Sequence, residues 1–267
     1  MRRSRLTGFV TSLLLAAGLG LTGAASAQAS TTAAGGYVAL GDSYSSGVGA
    51  GSYISSSGSC NRSTKAYPYL WSAAHSPSSF AFNACSGAKT DDVLSGQLGS
   101  LNSSTSLVSI TIGGNDAGFA DVMTTCVIQS DSGCLSKIDT ARAYVANTLP
   151  GKLDAVYNAI SAKAPAARVV VIGYPRFYLL GQSCLGLSET KRSAINDAAD
   201  YLNTTVRARA AAHNFVFGDV RTTFSGHEIC SGNSWLHSVN WLNIGESYHP
   251  TAAGQSGGYL PVLTNAA

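Results

Sequence analysis

Five short apolar segments alternate with longer segments of helical periodicity along this chain, and that alternation limits the folds open to it. The five short segments, each bounded by Gly, Pro or Asn, predict strands over residues 37–40, 80–83, 107–112, 168–172 and 215–217. The intervening periodicity predicts helices over residues 67–74, 91–98, 117–123, 135–162 and 188–213. Pro150 is expected to divide the fourth of these into two helices, because proline breaks a helix interior.

Strands that alternate with helices are typical of a mainly parallel sheet with helices on both faces. We therefore predict an α/β protein with one three-layer α/β/α domain over residues 37–267, built on a five-stranded, mainly parallel sheet. Residues 44–59 are rich in Ser and Gly and are expected to form a long loop. Neither an internal repeat nor a linker marks a second domain.

The N-terminus has the form of a secretory signal peptide over residues 1–27. Three arginines precede an apolar run over residues 8–21, and the small residues that end at Ala27 form a cleavage site, with a cut after Ala29 as the alternative. The run is shorter than the ~20 residues that span a bilayer. We expect residues 28–36 to be a flexible leader, and the mature protein to be a secreted, extracellular monomer without a stable membrane anchor.

Charge and cysteine content exclude two other classes of site. The whole chain carries a formal net charge of +3, and the signal peptide contains three of its arginines, so the mature chain is close to neutral and a nucleic-acid partner is not expected. The exported part contains an even number of cysteines, which implies three disulfides outside the cell. They are Cys60, Cys85, Cys126, Cys134, Cys184 and Cys230. Cys126 and Cys134 flank a short polar loop and form the safest pair, and no metal-ligand spacing occurs.

The residues that carry chemistry follow the predicted strands. Ser43 ends a Gly-Asp-Ser turn after the first strand, Gly87 follows the second, and Asn115 follows a Gly-Gly pair after the third. His249 precedes a final helical segment. Because ligands of such sheets bind outside the carboxyl ends of the strands, these side chains are expected to meet there.

Together these residues supply the parts of a serine hydrolase. A serine hydroxyl needs a base to take its proton, and the oxyanion formed on attack needs donors already in place. We predict Ser43 as nucleophile and His249 as base, with the Ser43 and Gly87 backbone N–H groups and the Asn115 amide as the oxyanion hole. Asp42 and Asp116 are expected to form turns and caps.

At these positions the sequence resembles the SGNH or GDS(L)-type hydrolases. The block Gly-Asp-Ser-Tyr-Ser-Ser-Gly over residues 41–47 matches their first motif, and Ser43, Gly87, Asn115 and His249 match their four markers. The six cysteines and the Gly-Gly-Asn-Asp block resemble the secreted actinomycete lipase and phospholipase branch. The resemblance implies a flavodoxin-like fold and hydrolysis of carboxylic esters of lipids without metal or organic cofactor. It also implies the disulfides Cys60–Cys85, Cys126–Cys134 and Cys184–Cys230.

The group that orients His249 departs from the family pattern. The usual aspartate three residues before the histidine is Glu246 here. Glutamate is one methylene longer, so its carboxylate is expected to overshoot Nδ1, and we favour the backbone carbonyl of Ser247 over Glu246. Activity is expected to rise with pH near the ordinary histidine pKa of ~6.5.

The sequence constrains the substrate less tightly than it constrains the reaction. A small-molecule or lipid-aggregate ester is expected, with an acyl groove lined by aromatic side chains. The candidates are Tyr44, Tyr53, Phe119, Phe177, Trp235 and Trp241, although each suits a core position as well. The alternatives are a short-chain or carbohydrate O-acetyl esterase and a non-catalytic secreted binding domain.

Several other residues carry weaker signals. Ser256 lies in a Gly-x-Ser-x-Gly match, but no histidine follows it and a helix is expected there, so it is rejected as nucleophile. The remaining histidines have no ligand spacing and are expected to be surface or packing residues. These are His75, His213, His227 and His237.

Overall fold

Five parallel strands form one sheet in the computed structural model, which describes residues 35–267. The strands are β1 Gly36–Gly41, β2 Phe80–Phe82, β3 Thr105–Thr111, β4 Arg168–Ile172 and β5 Val216–Gly218. Their order is β2-β1-β3-β4-β5, and every neighbouring pair is parallel. The five predicted strands are therefore confirmed, with bounds that shift by one or two residues. The predicted signal peptide and all but the last two residues of the predicted leader lie outside the described residues.

The central strands β1 and β4 are largely apolar because helices cover both faces of the sheet. All six residues of β1 are buried, and so are the last four of β4. A strand that is buried on both faces has no reason to alternate apolar with polar residues, which is why these segments stand out as continuous apolar runs.

Within residues 35–267, eight α-helices flank the sheet. They are α1 Ser43–Ser46, α2 Tyr67–His75, α3 Thr90–Asp92, α4 Phe119–Ile128, α5 Asp131–Asn147, α6 Leu149–Lys163, α7 Glu189–Ala212 and α8 Leu260–Ala266. Short 3-10 and π-helical segments add Ser55–Cys60, Val93–Gln97, Leu98–Ser100, Ile244–Glu246 and Gly254–Tyr259. Helices α2 and α8 pack together, α6 packs with α7, and both α7 and α8 contact β4 and β5. This is the predicted three-layer arrangement.

Several helix bounds differ from the predictions. The segment predicted as a loop over residues 44–59 begins inside α1 and ends inside the 3-10 segment Ser55–Cys60. Asp42 caps α1 by accepting a hydrogen bond from the Tyr44 N–H at 3.0 Å, and Gly47 caps its C-terminus. A four-residue helix is too short to show a period. The helix predicted over residues 91–98 is one α-helical turn followed by π and 3-10 turns. Only two residues separate α4 from α5, because Ser130 caps α5 and most of the predicted polar loop is helical.

Two further expectations agree with the structure. Helix α5 ends at Asn147 and α6 begins at Leu149, so Pro150 lies in the first turn of the new helix, where its missing N–H costs nothing. The disulfides are Cys60–Cys85, Cys126–Cys134 and Cys184–Cys230, the pairing that the resemblance implies. No helix within residues 35–267 is long and apolar enough to cross a bilayer.

The strand order places the candidate residues. The chain leaves β1 toward β2 on one side and then returns past β1 to form β3 on the other, so the loops after β1 and β3 diverge between adjacent strands. A crevice opens at such a switch point in doubly wound sheets. Ser43 follows β1 and Asn115 follows β3, at the two sides of this crevice.

Candidate active site

Ser43 is held at the end of β1 by a network of backbone hydrogen bonds. The Asp42 N–H donates to the Thr111 carbonyl of β3 at 2.9 Å, and the Cys85 N–H donates to the Gly41 carbonyl at 3.0 Å. Gly41 has a φ of +117°, and a Cβ there would lie 2.3 Å from the Thr111 carbonyl oxygen. Only glycine fits this close approach, which fixes where Ser43 begins α1.

His249 reaches Ser43 from the C-terminal part of the chain. The His249 Nε2 atom lies 2.8 Å from the Ser43 Oγ atom. Tyr248, the residue before it, adopts a left-handed conformation with a φ of +64°. Its backbone is fixed on both sides, since its N–H donates to the His237 carbonyl at 3.0 Å and its carbonyl accepts from the Tyr44 hydroxyl at 2.7 Å. This strained residue aims the imidazole at Ser43.

The other imidazole nitrogen faces a backbone carbonyl rather than a carboxylate. The Nδ1 atom of His249 lies 3.0 Å from the carbonyl oxygen of Ser247. Glu246 points to a different partner, because its carboxylate accepts a hydrogen bond from the Tyr53 hydroxyl at 2.7 Å. Tyr53 in turn accepts from the Gly49 N–H at 2.9 Å. The Glu246 side chain therefore joins its turn to the loop after α1.

Burial sets the protonation state of His249. It lowers the pKa of the imidazole from 6.5 to about 4, an electrostatic contribution from His237 adds to the shift, and the backbone hydrogen bonds with Ser247 and Glu246 oppose it. The ring is therefore neutral near pH 7 and can accept a proton. The expectation of a rise in activity near pH 6.5 changes accordingly, because the sequence carried no information on how deeply the ring is enclosed.

Gly87 and Asn115, the predicted oxyanion-hole residues, line the same cleft as His249. Gly87 follows the Cys60–Cys85 disulfide and has a φ of +79°, a conformation that residues with a side chain rarely adopt. The Asn115 side-chain amide donates to the Ala88 carbonyl at 3.1 Å, which fixes the amide and leaves its second hydrogen free for a ligand. Within residues 35–267, neither the Ser43 nor the Gly87 N–H has a hydrogen-bond acceptor. Such donors suit an oxyanion.

The sequence did not point to Tyr174, which links the loops after β1 and β3. Its hydroxyl donates to the Asp42 carboxylate at 2.5 Å and accepts from the Gly114 N–H at 3.0 Å. Burial raises the pKa of Asp42 from 3.8 to about 7, against the opposing effect of the Tyr174 hydrogen bond. Tyr174 lies just after β4, so the rule that selected the other loops would also have selected this one.

Asp42 and Asp116, which were expected to form turns and caps, each accept hydrogen bonds at the start of a helix. Asp42 caps α1, as described above. The Asp116 carboxylate accepts hydrogen bonds from the Thr90 N–H at 3.1 Å and from the Thr90 hydroxyl at 2.6 Å. Asp116 therefore caps α3 from a distant part of the chain rather than its own turn.

A cleft of about 480 Å³ leads to these residues. Gly87, Asn115 and His249 line it, and its other walls are mostly apolar side chains from α4 and from residues 239–248. Of the six candidate groove residues, only Phe119 and Trp241 line this cleft. Tyr44 and Phe177 are buried. Trp235 stacks on His227 at 3.6 Å, and Tyr53 bonds to Glu246.

The remaining candidates lie outside this arrangement. Ser256 is in the predicted helical region, where its hydroxyl donates to the Ala252 carbonyl at 3.0 Å. The four other histidines all have packing or hydrogen-bonding partners, such as Asp154 for His213 and Trp71 for His75. Over residues 35–267, no cluster of three or more His, Cys, Asp or Glu side chains is arranged to hold a metal ion.

Comparison with known proteins found a matching family model and several similar proteins. A family model described as the GDSL-like Lipase/Acylhydrolase family matches residues 39–256. Lipase 1 of Streptomyces coelicolor is 77% identical over 268 residues, which cover 100% of both chains. The crystal structure of phospholipase A1 from Streptomyces albidoflavus NA297 is 67% identical with a TM-score of 0.87, and that of an extracellular lipase from Streptomyces rimosus is 66% identical with a TM-score of 0.86. Each match covers 88% of this chain and 100% of the other.

Proposed function

The chain belongs to the GDSL-like lipase/acylhydrolase family and is a carboxylic ester hydrolase, and we propose that it cleaves lipid esters through an acyl-enzyme on Ser43. The observation that carries this proposal is the 2.8 Å hydrogen bond between the Ser43 hydroxyl and the Nε2 atom of His249, a residue that lines an apolar cleft. The names of the relatives, two lipases and a phospholipase A1, agree with a lipid ester as substrate.

The chemistry follows from the positions of the atoms. Ser43 Oγ attacks the ester carbonyl carbon while the His249 Nε2 atom takes the hydroxyl proton. The carbonyl oxygen becomes an oxyanion, which the Ser43 and Gly87 N–H groups and the Asn115 amide stabilise. The ester C–O bond then breaks, and His249 returns the proton to the leaving alcohol. Water, with its proton taken by His249, releases the fatty acid from Ser43.

We further propose that Ser247, rather than Glu246, orients the base. A carbonyl that accepts the Nδ1 hydrogen fixes the tautomer in which Nε2 is unprotonated and ready to act as base. Support comes from the 3.0 Å contact of Nδ1 with the Ser247 carbonyl and from the engagement of the Glu246 carboxylate with Tyr53. Ser43 and His249 then form a catalytic dyad.

The surface around the cleft supports a lipid aggregate as the source of substrate. Trp241 and Ile244 line the cleft and are also exposed, by 74% and 64%, and Leu242 between them is fully exposed. Contiguous exposed apolar side chains mark surfaces that bind membranes or partners. We propose that the mature protein acts as a secreted monomer at such an interface, in keeping with the signal peptide predicted over residues 1–27 and with the extracellular relative.

Two measurements test the catalytic assignment. A fluorophosphonate probe is expected to label Ser43 stoichiometrically, and Ser43→Ala should lower turnover by about 10⁶, because nothing else supplies the nucleophile. Ser256→Ala is the matched control and should retain full activity. Turnover by folded Ser43→Ala near the wild-type rate would refute the assignment.

A chain-length series tests the substrate class. Turnover of nitrophenyl octanoate and longer esters should exceed that of the acetate, since the cleft walls gain contact with each added methylene. Equal or faster turnover of the acetate would contradict the lipid assignment and favour an acetyl esterase.

A further inference from the structure

A second, polar cavity lies beside the catalytic cleft. It has a volume of about 630 Å³, and its walls come from the loop after β2, the helical turns that follow α3, and the loop that contains Arg62. Ser86 and Gly87 line both this cavity and the cleft. The two spaces therefore adjoin at the residue that we assign to the oxyanion hole.

Arg62 brings a positive charge to this cavity without a charged partner. Its Nη1 atom donates to the Ala84 carbonyl at 3.4 Å, and within residues 35–267 no carboxylate lies within 4.0 Å of its guanidinium. Arg209 and Arg221 differ, because each forms an ion pair with an aspartate. The Arg62 guanidinium thus keeps most of its N–H donors for a ligand, and its planar fork matches the oxygens of a phosphate.

A carboxylate lines the same cavity. Asp92 is exposed, and its Oδ2 atom accepts only one hydrogen bond within the described chain, from the Lys89 N–H at 2.8 Å. A lone inorganic anion in this cavity would be attracted by Arg62 and repelled by the Asp92 carboxylate. A group with a phosphodiester and a cationic nitrogen would place one charge against each residue.

We propose that this polar cavity binds the zwitterionic head group of a glycerophospholipid, with the phosphodiester at Arg62 and the cationic nitrogen toward Asp92. This rests on the proposed ester hydrolysis at Ser43. The acyl chain then occupies the apolar cleft, the scissile carbonyl lies at Gly87 where the two spaces adjoin, and the glycerol connects them. Arg62 is a specificity residue in this arrangement and takes no part in bond breaking.

The test compares two soluble esters with the same acyl chain. Dihexanoyl phosphatidylcholine, kept below its critical micelle concentration, carries the head group, and nitrophenyl hexanoate lacks it. Arg62→Gln removes the charge but keeps a polar side chain at the same place. We expect kcat/KM on the phospholipid to fall about tenfold or more, mainly through KM, because a hydrogen bond to a charged group is lost. Turnover of nitrophenyl hexanoate should not change.

Two further variants separate charge from structure. Arg62→Lys keeps the charge without the fork and should retain more phospholipid turnover than Arg62→Gln. Arg168→Gln is the matched control, since Arg168 likewise donates to a backbone carbonyl, that of Ala266, but lies at the start of β4, at the amino ends of the strands. It should leave both substrates unaffected.

Each contrary result has one meaning. An equal loss of kcat/KM on both esters in Arg62→Gln would show that Arg62 only supports the fold. An unchanged kcat/KM on the phospholipid would show that the head group binds elsewhere. Either result overturns the proposal. Faster wild-type turnover of dihexanoyl phosphatidylglycerol than of the choline lipid would also overturn it, since Asp92 should disfavour a purely anionic head group. Absence of wild-type turnover on nitrophenyl hexanoate would instead contradict the proposed function itself.

Discussion

At the residue scale, the contacts of His249 decide how the base is oriented. The imidazole meets the Ser43 hydroxyl on one side and the Ser247 carbonyl on the other, while Glu246 bonds to Tyr53. A carbonyl can fix the tautomer as a carboxylate does, but it carries no full charge to stabilise the imidazolium. The charge of Glu246 should therefore matter little to catalysis.

Replacement of Glu246 by glutamine tests this arrangement. The variant keeps an oxygen that can accept from Tyr53, so we expect turnover of a soluble ester to fall by less than about tenfold. If the Glu246 carboxylate oriented the base, its replacement would lower turnover by as much as ~10⁴. Glu189→Gln, which changes a carboxylate in the first turn of α7, is the control. A loss of several powers of ten in folded Glu246→Gln would restore the glutamate as the third catalytic residue.

The lowered pKa of His249 predicts an acid-shifted pH profile. The base acts as the neutral imidazole, so kcat/KM should rise with pH through about 4 and stay level to pH 7. The folded pKa lies below the unfolded value of ~6.5, so the unfolded chain takes up the proton first and stability falls as pH drops through that interval. Initial rates on a soluble ester, with circular dichroism at each pH, measure both effects. An inflection near pH 6.5 in fully folded protein would contradict the shift.

At the element scale, Tyr174 couples the loop after β1 to the loop after β3. Its hydroxyl bonds to both the Asp42 carboxylate and the Gly114 N–H, and Asn115 follows directly. These groups are buried, so no water replaces a lost partner. The connection therefore fixes the distance between the nucleophile and the amide of the oxyanion hole.

Tyr174→Phe removes that connection with little change in volume. We expect a loss of about 1–3 kcal/mol in the free energy of unfolding, since a buried donor and acceptor lose their partner, and a severalfold drop in kcat as Asn115 becomes less fixed. Denaturant titration and initial rates measure these effects. Tyr157→Phe is the matched control, because the buried Tyr157 hydroxyl has no hydrogen-bond partner within the described residues. Equal effects of the two variants would rule out the coupling.

At the scale of the whole molecule, the apolar tip at residues 241–244 adjoins the catalytic cleft. The tip carries no charge, and Asn240 supports it by accepting hydrogen bonds from the Leu242 and Asn243 N–H groups. Leu242 is fully exposed and does not line the cleft. It can therefore enter a lipid surface without touching the ester that is being cleaved.

Leu242→Asp should separate interfacial from soluble activity. Burial of a leucine is worth about 1.5–3 kcal/mol, so we expect hydrolysis of long-chain lipid vesicles to fall about tenfold while turnover of a soluble nitrophenyl ester stays unchanged. Ala166→Asp places the same charge on the exposed turn before β4, at the amino ends of the strands, and serves as control. Equal vesicle activity of the two variants would show that the tip does not bind lipid.

Local sequence patterns were sufficient to predict the strands of the sheet, the main helices and the candidate site residues. Continuous apolar runs identify strands buried on both faces, and the carboxyl-end rule groups Ser43, Gly87 and Asn115 at one edge. The short helix α1 and the shared Asp116 cap of α3 left no periodic signal, because each depends on one or two hydrogen bonds.

Contacts between distant parts of the chain required the tertiary structure. Residue spacing could not show that Tyr174 would bond to Asp42, that Glu246 would turn to Tyr53, or how deeply His249 would be buried. These properties depend on direction and burial, which arise only when separate loops pack together. The residue types of the site could be read along the chain, whereas their orientation and protonation were set by packing.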